Sequence, residues 1–221
     1  KYLKVVALAP ELPGAIETIK YLKSRGIVVA AGHTDANYAQ VEQAVAAGVT
    51  STVHLFNGMQ DLLHREPGPA GVMLLDERVS CELICDGIHL HPAIIDLTVR
   101  LKGADGVILI SDAMRATGLG DGRYDLGGQE VIVTGGIARL PDGTLAGSTL
   151  TLDRAVRNVM QMAKIPVHQA VQMATLNPAR LIGVADRKGS IEPGKDADLV
   201  IFDEDIKVKK VLIDGQIVSF E

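Results

Sequence analysis

Five short apolar runs, most of them handing over to a stretch of helical pattern, govern what this chain can become. They read Val5–Pro10, Ile27–Gly32, Thr50–Phe56, Val79–Cys85 and Val107–Ile110. They are apolar on both faces, as strands covered by helices on both sides are. Helical patterns occupy Ala15–Arg25, Asn37–Ala47 and Pro92–Leu101, and Gly48 closes the second as a C-cap would. Such strand–helix alternation predicts an α/β fold with a parallel sheet. A chain of 221 residues, 47% hydrophobic, can bury one large core and carry a small appendage.

After the fifth run the pattern changes. Tyr124–Gly147 is rich in Gly and short β-type runs, with a hairpin signal at Asp142–Gly143. A β excursion over about 122–147 is therefore expected in place of another βα unit. Helices return at Leu152–Ala163 and Val167–Leu176; Asn177–Pro178 should break the second, with a short helix to Ile182. Residues 186–221 read as strands and turns, a small β module, which leaves 1–185 as the main domain.

Composition excludes several function classes. The net charge is −5 with both signs interspersed, so no basic footprint marks a nucleic acid or an anionic membrane surface as partner. No stretch is apolar enough over a bilayer's width to span it, and no signal peptide is visible. Cys81 and Cys85 lie four apart on one expected strand. A disulfide between them would have to fold that strand back, so two buried thiols in a reducing cytoplasm are expected. The chain opens almost directly on a strand, "KYLKVVALAPE", and further sequence is expected upstream of Lys1.

The chemistry-bearing residues cluster where the apolar runs stop. In order the runs end on "ALAPE", "AAGHT", "TVHLFN", "ICDGIH" and "LISDAM", which puts Glu11, His33, His54, Asp86 with His89, and Asp112 at successive strand ends. In a barrel of parallel strands this rim carries the active site. His33 and His54 are 21 residues apart, one βα unit, so two imidazoles meet on neighbouring strands and can bind a divalent metal. Asp112 at the mouth of such a site can move a proton, or it can cap the next helix. His89 can polarise a carbonyl, bind phosphate, or be a loop residue. Arg65, among Gly and Pro, can pair with an anion or lie solvated. Glu11 can be a third ligand, can orient its neighbours, or can cap the helix after Pro13; spacing does not separate these.

The segments "AGHTDA", "VHLFNGM", "REPGPAG", "CDGIHL", "SDAM" and "LAGSTLTL", with the later "MATLNPARLIG" and "KGSIEPGKDADLVIFD", resemble the N-acetylglucosamine-6-phosphate deacetylase family of the amidohydrolase superfamily. The resemblance runs over essentially the whole chain, and the "HLFNGM…REPG" block is its most specific part. It implies a partial (β/α)8 TIM barrel, strands four to eight, with the C-terminal residues joining a small β-sandwich. It implies His33 and His54 as metal ligands, the third ligand being a Glu upstream of Lys1 in a "HLEGP"-like segment absent from these residues. Glu11 then stands behind the ligands.

The family match makes Asp112 the general acid–base. It makes His89, Asn57, Gly58, Arg65, Leu145, Gly147 and Ser148 substrate-binding, with Arg65 reaching into the partner subunit's site of a homodimer. The implied cofactor is a divalent metal, zinc first, then Fe, Mn or Co. The implied reaction is cytoplasmic deacetylation of a phosphosugar, N-acetylglucosamine 6-phosphate. The alternatives are an amidohydrolase acting on another amide, and a non-catalytic protein that kept the fold.

Overall fold

Five parallel strands stand side by side in chain order. The computed structural model describes residues 2–218; Lys1 and residues 219–221, the outer ends of the two expected domains, lie outside it. The strands are β1 (Val5–Leu8), β2 (Val28–Ala31), β3 (Val49–Thr52), β4 (Cys81–Ile84) and β5 (Val107–Ile110). β2 pairs in parallel with β1 and with β3, and β4 with β5. Ser80 joins the two groups: its carbonyl accepts from Thr52 N at 3.0 Å, and its N–H donates to the Thr50 carbonyl at 3.0 Å.

Between and after the strands run α1 (Ala15–Ser24), α2 (Tyr38–Ala47), α3 (Gly68–Leu75) and α4 (Pro92–Lys102). Each sends a buried side chain to the sheet: Ile19, Val41, Met73 and Ile95 join Val29, Leu83 and Leu109 in one core. β2, β4 and β5 are buried at all but one position each, which is why their apolar runs do not alternate, while β1 is only half-buried. Asn37 caps α2 through a reciprocal pair: its side chain accepts from Gln40 N, and the Gln40 side chain accepts from Asn37 N.

The structure departs from the sequence reading in three places. Helix α3 lies between the third and fourth apolar runs, where pattern alone predicts no helix. All but its last residue are buried, so it has no polar face and leaves no amphipathic signal. Strand β3 stops at Thr52, four residues short of the expected Phe56, because the backbone turns left-handed at His54. The expected break at Asn177–Pro178 falls earlier, at Thr175, between α6 (Val167–Ala174) and α7 (Leu176–Leu181). Pro178 then sits in the first turn of α7, where a missing N–H costs nothing.

Asn177 is buried and pins α7 to the foot of β5. Its Nδ2 donates to the carbonyls of Ala104 and Val107, both at 2.7 Å, and its Oδ1 accepts from Gln172 at 3.2 Å. Asn177→Ala should destabilise the fold by on the order of 1–3 kcal/mol, because the Val107 carbonyl loses its buried partner. Urea unfolding measures this, and an unchanged midpoint would show that the bonds contribute nothing net.

The β excursion is a three-stranded antiparallel sheet of β6 (Gly122–Leu126), β7 (Gln129–Thr134) and β8 (Ile137–Arg139). It has its own small core around Val131, Val133 and Ala138. Gly127 and Gly128, with φ of 62° and 87°, make its first turn; two consecutive left-handed residues are what a tight hairpin requires. Helix α5 (Leu152–Ala163) then returns to the sheet, and the tail forms an antiparallel sheet of β9 (Leu199–Phe202), β10 (Val208–Ile213) and β11 (Gln216–Val218). Arg157 of α5 ties this tail to the main core through the carbonyls of Asp205 (2.7 Å) and Ile206 (3.2 Å).

Candidate active site

His33, His54 and Asp112 each stand two residues beyond the last residue of their strand, β2, β3 and β5. Their φ angles are 49°, 32° and 48°, a left-handed backbone that only seven described non-glycine residues adopt. Side chains with a Cβ disfavour that region. Its concentration at three of the chemistry-bearing strand ends singles them out as a candidate site.

The two imidazoles face each other. His33 Nε2 and His54 Nε2 are 2.9 Å apart, with ring planes at 85°. His54 Nδ1 lies 3.1 Å from the Asn57 carbonyl. A proton on Nδ1, donated there, leaves Nε2 with a free lone pair, the tautomer a metal ligand needs. Burial and the neighbouring His33 hold the His54 pKa below its ordinary value, with Asp112 pulling the other way. The ring is therefore neutral near pH 7.

The loop after His54 braces both rings. Asn57 donates from its main-chain N to the His54 carbonyl at 3.0 Å, and from Nδ2 to the same carbonyl and that of Leu55. A Cβ on Gly58 would stand 3.0 Å from His33 Nδ1, so only glycine lets this loop pass beside the ring. Glu11 accepts from the Thr34 hydroxyl and from Asp35 N, the latter at 2.8 Å. Burial would raise its pKa, but these bonds outweigh it and hold the carboxyl low. Glu11 thus holds the turn after His33.

At the end of β4, His89 Nδ1 lies 2.7 Å from Asp86 Oδ2, both side chains nearly buried. Burial would raise the Asp86 pKa. Hydrogen bonds from the His89 ring and from the N–H groups of His89 and Ile88 reverse that and keep it lowered. Asp86 fixes the His89 ring and leaves Nε2 for other work.

These residues open on one cavity of about 660 Å³, lined by His33, His54, Asn57, Gly58, His89, Asp112, Leu145 and Gly147. Two expected residues lie elsewhere. Ser148 is buried behind the cavity: its hydroxyl bonds the Ser111 carbonyl, and its N–H donates to the Asp112 carbonyl at 2.7 Å. It holds the Asp112 backbone and does not face a ligand. Arg65 is exposed and stands 2.8 Å from His64 Nε2, outside its own chain's cavity.

The cavity also contains what sequence reasoning missed. Leu126 and Gln129, on either side of the Gly127–Gly128 turn, line it from the β excursion. Nothing local in the sequence links a hairpin tip to a pocket formed tens of residues earlier. Glu82, inside β4, lies close to His54 and Asp112. Burial pushes its carboxyl up to about 7, opposed by a hydrogen bond from the His54 backbone N–H and aided by the charge of Asp112. A lone acid within "CELIC" was the available signal.

Two imidazole nitrogens turned to one point suit a borderline divalent ion such as zinc, so the residues present fit a metal. Among the described residues, no third His, Cys, Asp or Glu joins them in a cluster able to hold an ion. No helix among the described residues is long and apolar enough to cross a membrane.

Comparison with known proteins places this geometry. The model of the amidohydrolase family matches residues 11–218. The chain is 45% identical over 218 residues to an N-acetylgalactosamine-6-phosphate deacetylase of Escherichia coli O157:H7, covering 99% of this chain and 58% of that protein. It is 46% identical over 213 residues to an N-acetylglucosamine-6-phosphate deacetylase of Vibrio furnissii, covering 96% and 53%. It superposes with a TM-score of 0.93, at 39% identity and over 97% of its length, on 57% of a variant N-acetyl-D-glucosamine-6-phosphate deacetylase from Mycobacterium smegmatis in complex with N-acetyl-D-glucosamine-6-phosphate. The chain spans a little over half the length of these relatives. With its parallel strands, helical cover and strand-end histidines, it belongs to the amidohydrolase family, with an α/β fold of the TIM-barrel type.

Proposed function

We propose that this chain carries the proton-transfer residue and part of the metal site of a deacetylase acting on N-acetylglucosamine 6-phosphate, releasing glucosamine 6-phosphate and acetate. The observation that carries this is the convergence of His33, His54 and Asp112 from three strand ends onto one cavity. The names and identities of the relatives supply the substrate class. One relative of equal similarity is named for the galacto epimer, which differs only at C4, so that sugar is the second reading.

In this reading the five parallel strands are strands four to eight of an eight-stranded barrel. Residues 1–185 belong to the barrel and 186–221 to a small β-sandwich. His33 and His54 hold the metal, zinc first with Fe, Mn or Co as alternatives, together with a Glu contributed upstream of Lys1. When bound, the ion acidifies water and polarises the amide carbonyl.

Asp112 accepts the proton of the attacking water and returns it to the sugar nitrogen as the C–N bond breaks. His89, its ring fixed by Asp86, donates from Nε2 to the developing oxyanion. The loop at Asn57 and Gly58 meets the phosphate, and Leu145 and Gly147 pack against the sugar. Glu11 and Ser148 steady the backbones of His33 and Asp112. Arg65, turned out of its own cavity, serves the phosphate in the partner's site of a homodimer. Phosphosugar chemistry and two buried free thiols fit the cytoplasm.

Arg65→Ala should raise KM for the phosphorylated sugar about 10- to 100-fold, as expected for a lost charge-assisted contact. The value of kcat should change little. Steady-state kinetics with the full-length protein check this; an unchanged KM would remove Arg65 from the phosphate site.

A further inference from the structure

Arg65 can serve a phosphate only if the exposed loop that carries it is held. Its guanidinium meets the ring of His64 at 2.8 Å, but that residue moves with the same loop. The restraint comes from the next residue. One oxygen of Glu66, Oε1, accepts from Tyr38 N at 3.0 Å and from Gly68 N at 3.3 Å. Tyr38 is the first residue of α2, and Gly68 is the first of α3. The first N–H groups of a helix have no partner within it, and helix N-termini favour negative charge. A single carboxylate therefore closes two helix starts that lie far apart in the chain. Asn37 and Gln40 already cap each other at the start of α2, and Tyr38 N, between them, falls to Glu66.

The chain on either side of Glu66 is fixed as well. Leu63 N donates to the Glu66 carbonyl at 3.0 Å, which closes a β-turn with His64 and Arg65 at its tip. Beyond it, Pro67 lies against Gly71, where a Cβ would stand 2.4 Å from the Pro67 Cβ. A Cβ on Gly68 would stand 3.0 Å from the Asp61 carbonyl oxygen. Both arms of the turn thus pack against the start of α3.

We infer that Glu66 is a positioning residue for Arg65: its carboxylate, shared by the first N–H groups of α2 and α3, sets the turn that presents the guanidinium. This rests on the reading that Arg65 meets the substrate phosphate. An arginine held in place before binding loses less freedom when the phosphate arrives. Asp112 and His89 hang from other strand ends, so loosening this anchor should leave proton transfer alone.

Steady-state kinetics on the full-length protein test this. The substrates are N-acetylglucosamine 6-phosphate and unphosphorylated N-acetylglucosamine, and Arg65→Ala serves as a second background. Glu66→Ala removes both bonds, and Glu66→Gln keeps an acceptor oxygen. Glu66→Asp, one methylene shorter, should lose at least one of the two bonds and is the second variant should Ala fail to fold.

Glu66→Ala and Glu66→Asp should raise KM for the phosphorylated sugar about 3- to 30-fold, with kcat within about twofold, since what is lost is the placing of a group remote from the reacting bond. Neither should change kcat/KM for the unphosphorylated sugar, and neither should raise KM further once Arg65 is alanine. Glu66→Gln should stay within about threefold of wild type. An unchanged KM in the folded Ala and Asp variants would overturn the assignment. So would a loss shared by the unphosphorylated sugar, or one that persists in the Arg65→Ala background, since Glu66 would then support the fold and not the arginine. A Gln variant as weak as Ala would overturn it too, because the two hydrogen bonds would not be what holds the turn. If Arg65→Ala itself leaves KM unchanged, the phosphate reading of Arg65 falls, and the role of Glu66 with it.

Discussion

Asp112→Asn is expected to lower kcat by roughly 10²- to 10⁴-fold, the usual worth of a positioned general acid–base, while KM and bound metal change little. Asparagine keeps the shape of the side chain and one acceptor oxygen, but it cannot take a proton from water or pass one to the leaving amine. The backbone that carries residue 112 should survive the change. It is held by the Ser148 N–H on the Asp112 carbonyl and by the Met114 N–H on the Ser148 carbonyl, and none of these bonds involves the carboxylate. Acetate release measured alongside metal content checks the expectation. Turnover near that of the wild type would remove Asp112 from proton transfer, and loss of metal with activity would make it a ligand.

His54→Ala and His33→Ala are each expected to leave less than about a tenth of the wild-type metal after gel filtration, because a metal site that loses one of its few ligands loses most of its affinity. The two should differ in their side effects. The His54 ring is buried and bonded to the Asn57 carbonyl, so its removal also frees the loop over Asn57 and Gly58 and should raise KM in any residual activity. The His33 ring has its close neighbours at His54 and Gly58, and its removal should act mainly through the metal. Metal analysis of both variants, with circular dichroism to show that they are folded, decides the matter. Full metal content in either would contradict the pairing.

Much of this was legible in the sequence, because strand ends in a parallel sheet announce themselves. An apolar run that stops on His or Asp gives both the element and the place of the residue just beyond its end. Thus β2 with His33 and β5 with Asp112 followed from local pattern alone. The tight turn at Asp142–Gly143 was equally readable: Gly143 N donates back to the Leu140 carbonyl, and Leu140 N reaches Thr144.

What escaped the sequence was set by long-range contacts. Helix α3 is buried on every side, so it carries no periodic signal. Leu126 and Gln129 reach the cavity only because the whole β excursion folds over it. Glu82 reads as an ordinary strand residue until β3 is seen to stop beside it. Ser148 is expected to touch substrate by resemblance, but its hydroxyl is spent on the Ser111 carbonyl. A motif gives the segment, and packing decides which way each side chain turns.

The most direct test is a comparison of acetate release from N-acetylglucosamine 6-phosphate and from unphosphorylated N-acetylglucosamine, using the full-length, zinc-loaded protein, with the galacto epimer run in parallel. A phosphate held by the Asn57–Gly58 loop and an arginine should be worth at least about 3 kcal/mol, so kcat/KM should be more than about 10²-fold higher for the phosphorylated sugar. Activity should also be lost on chelation and restored by added metal. Equal rates with and without the phosphate, or turnover that survives chelation, would contradict a metal-dependent phosphosugar deacetylase.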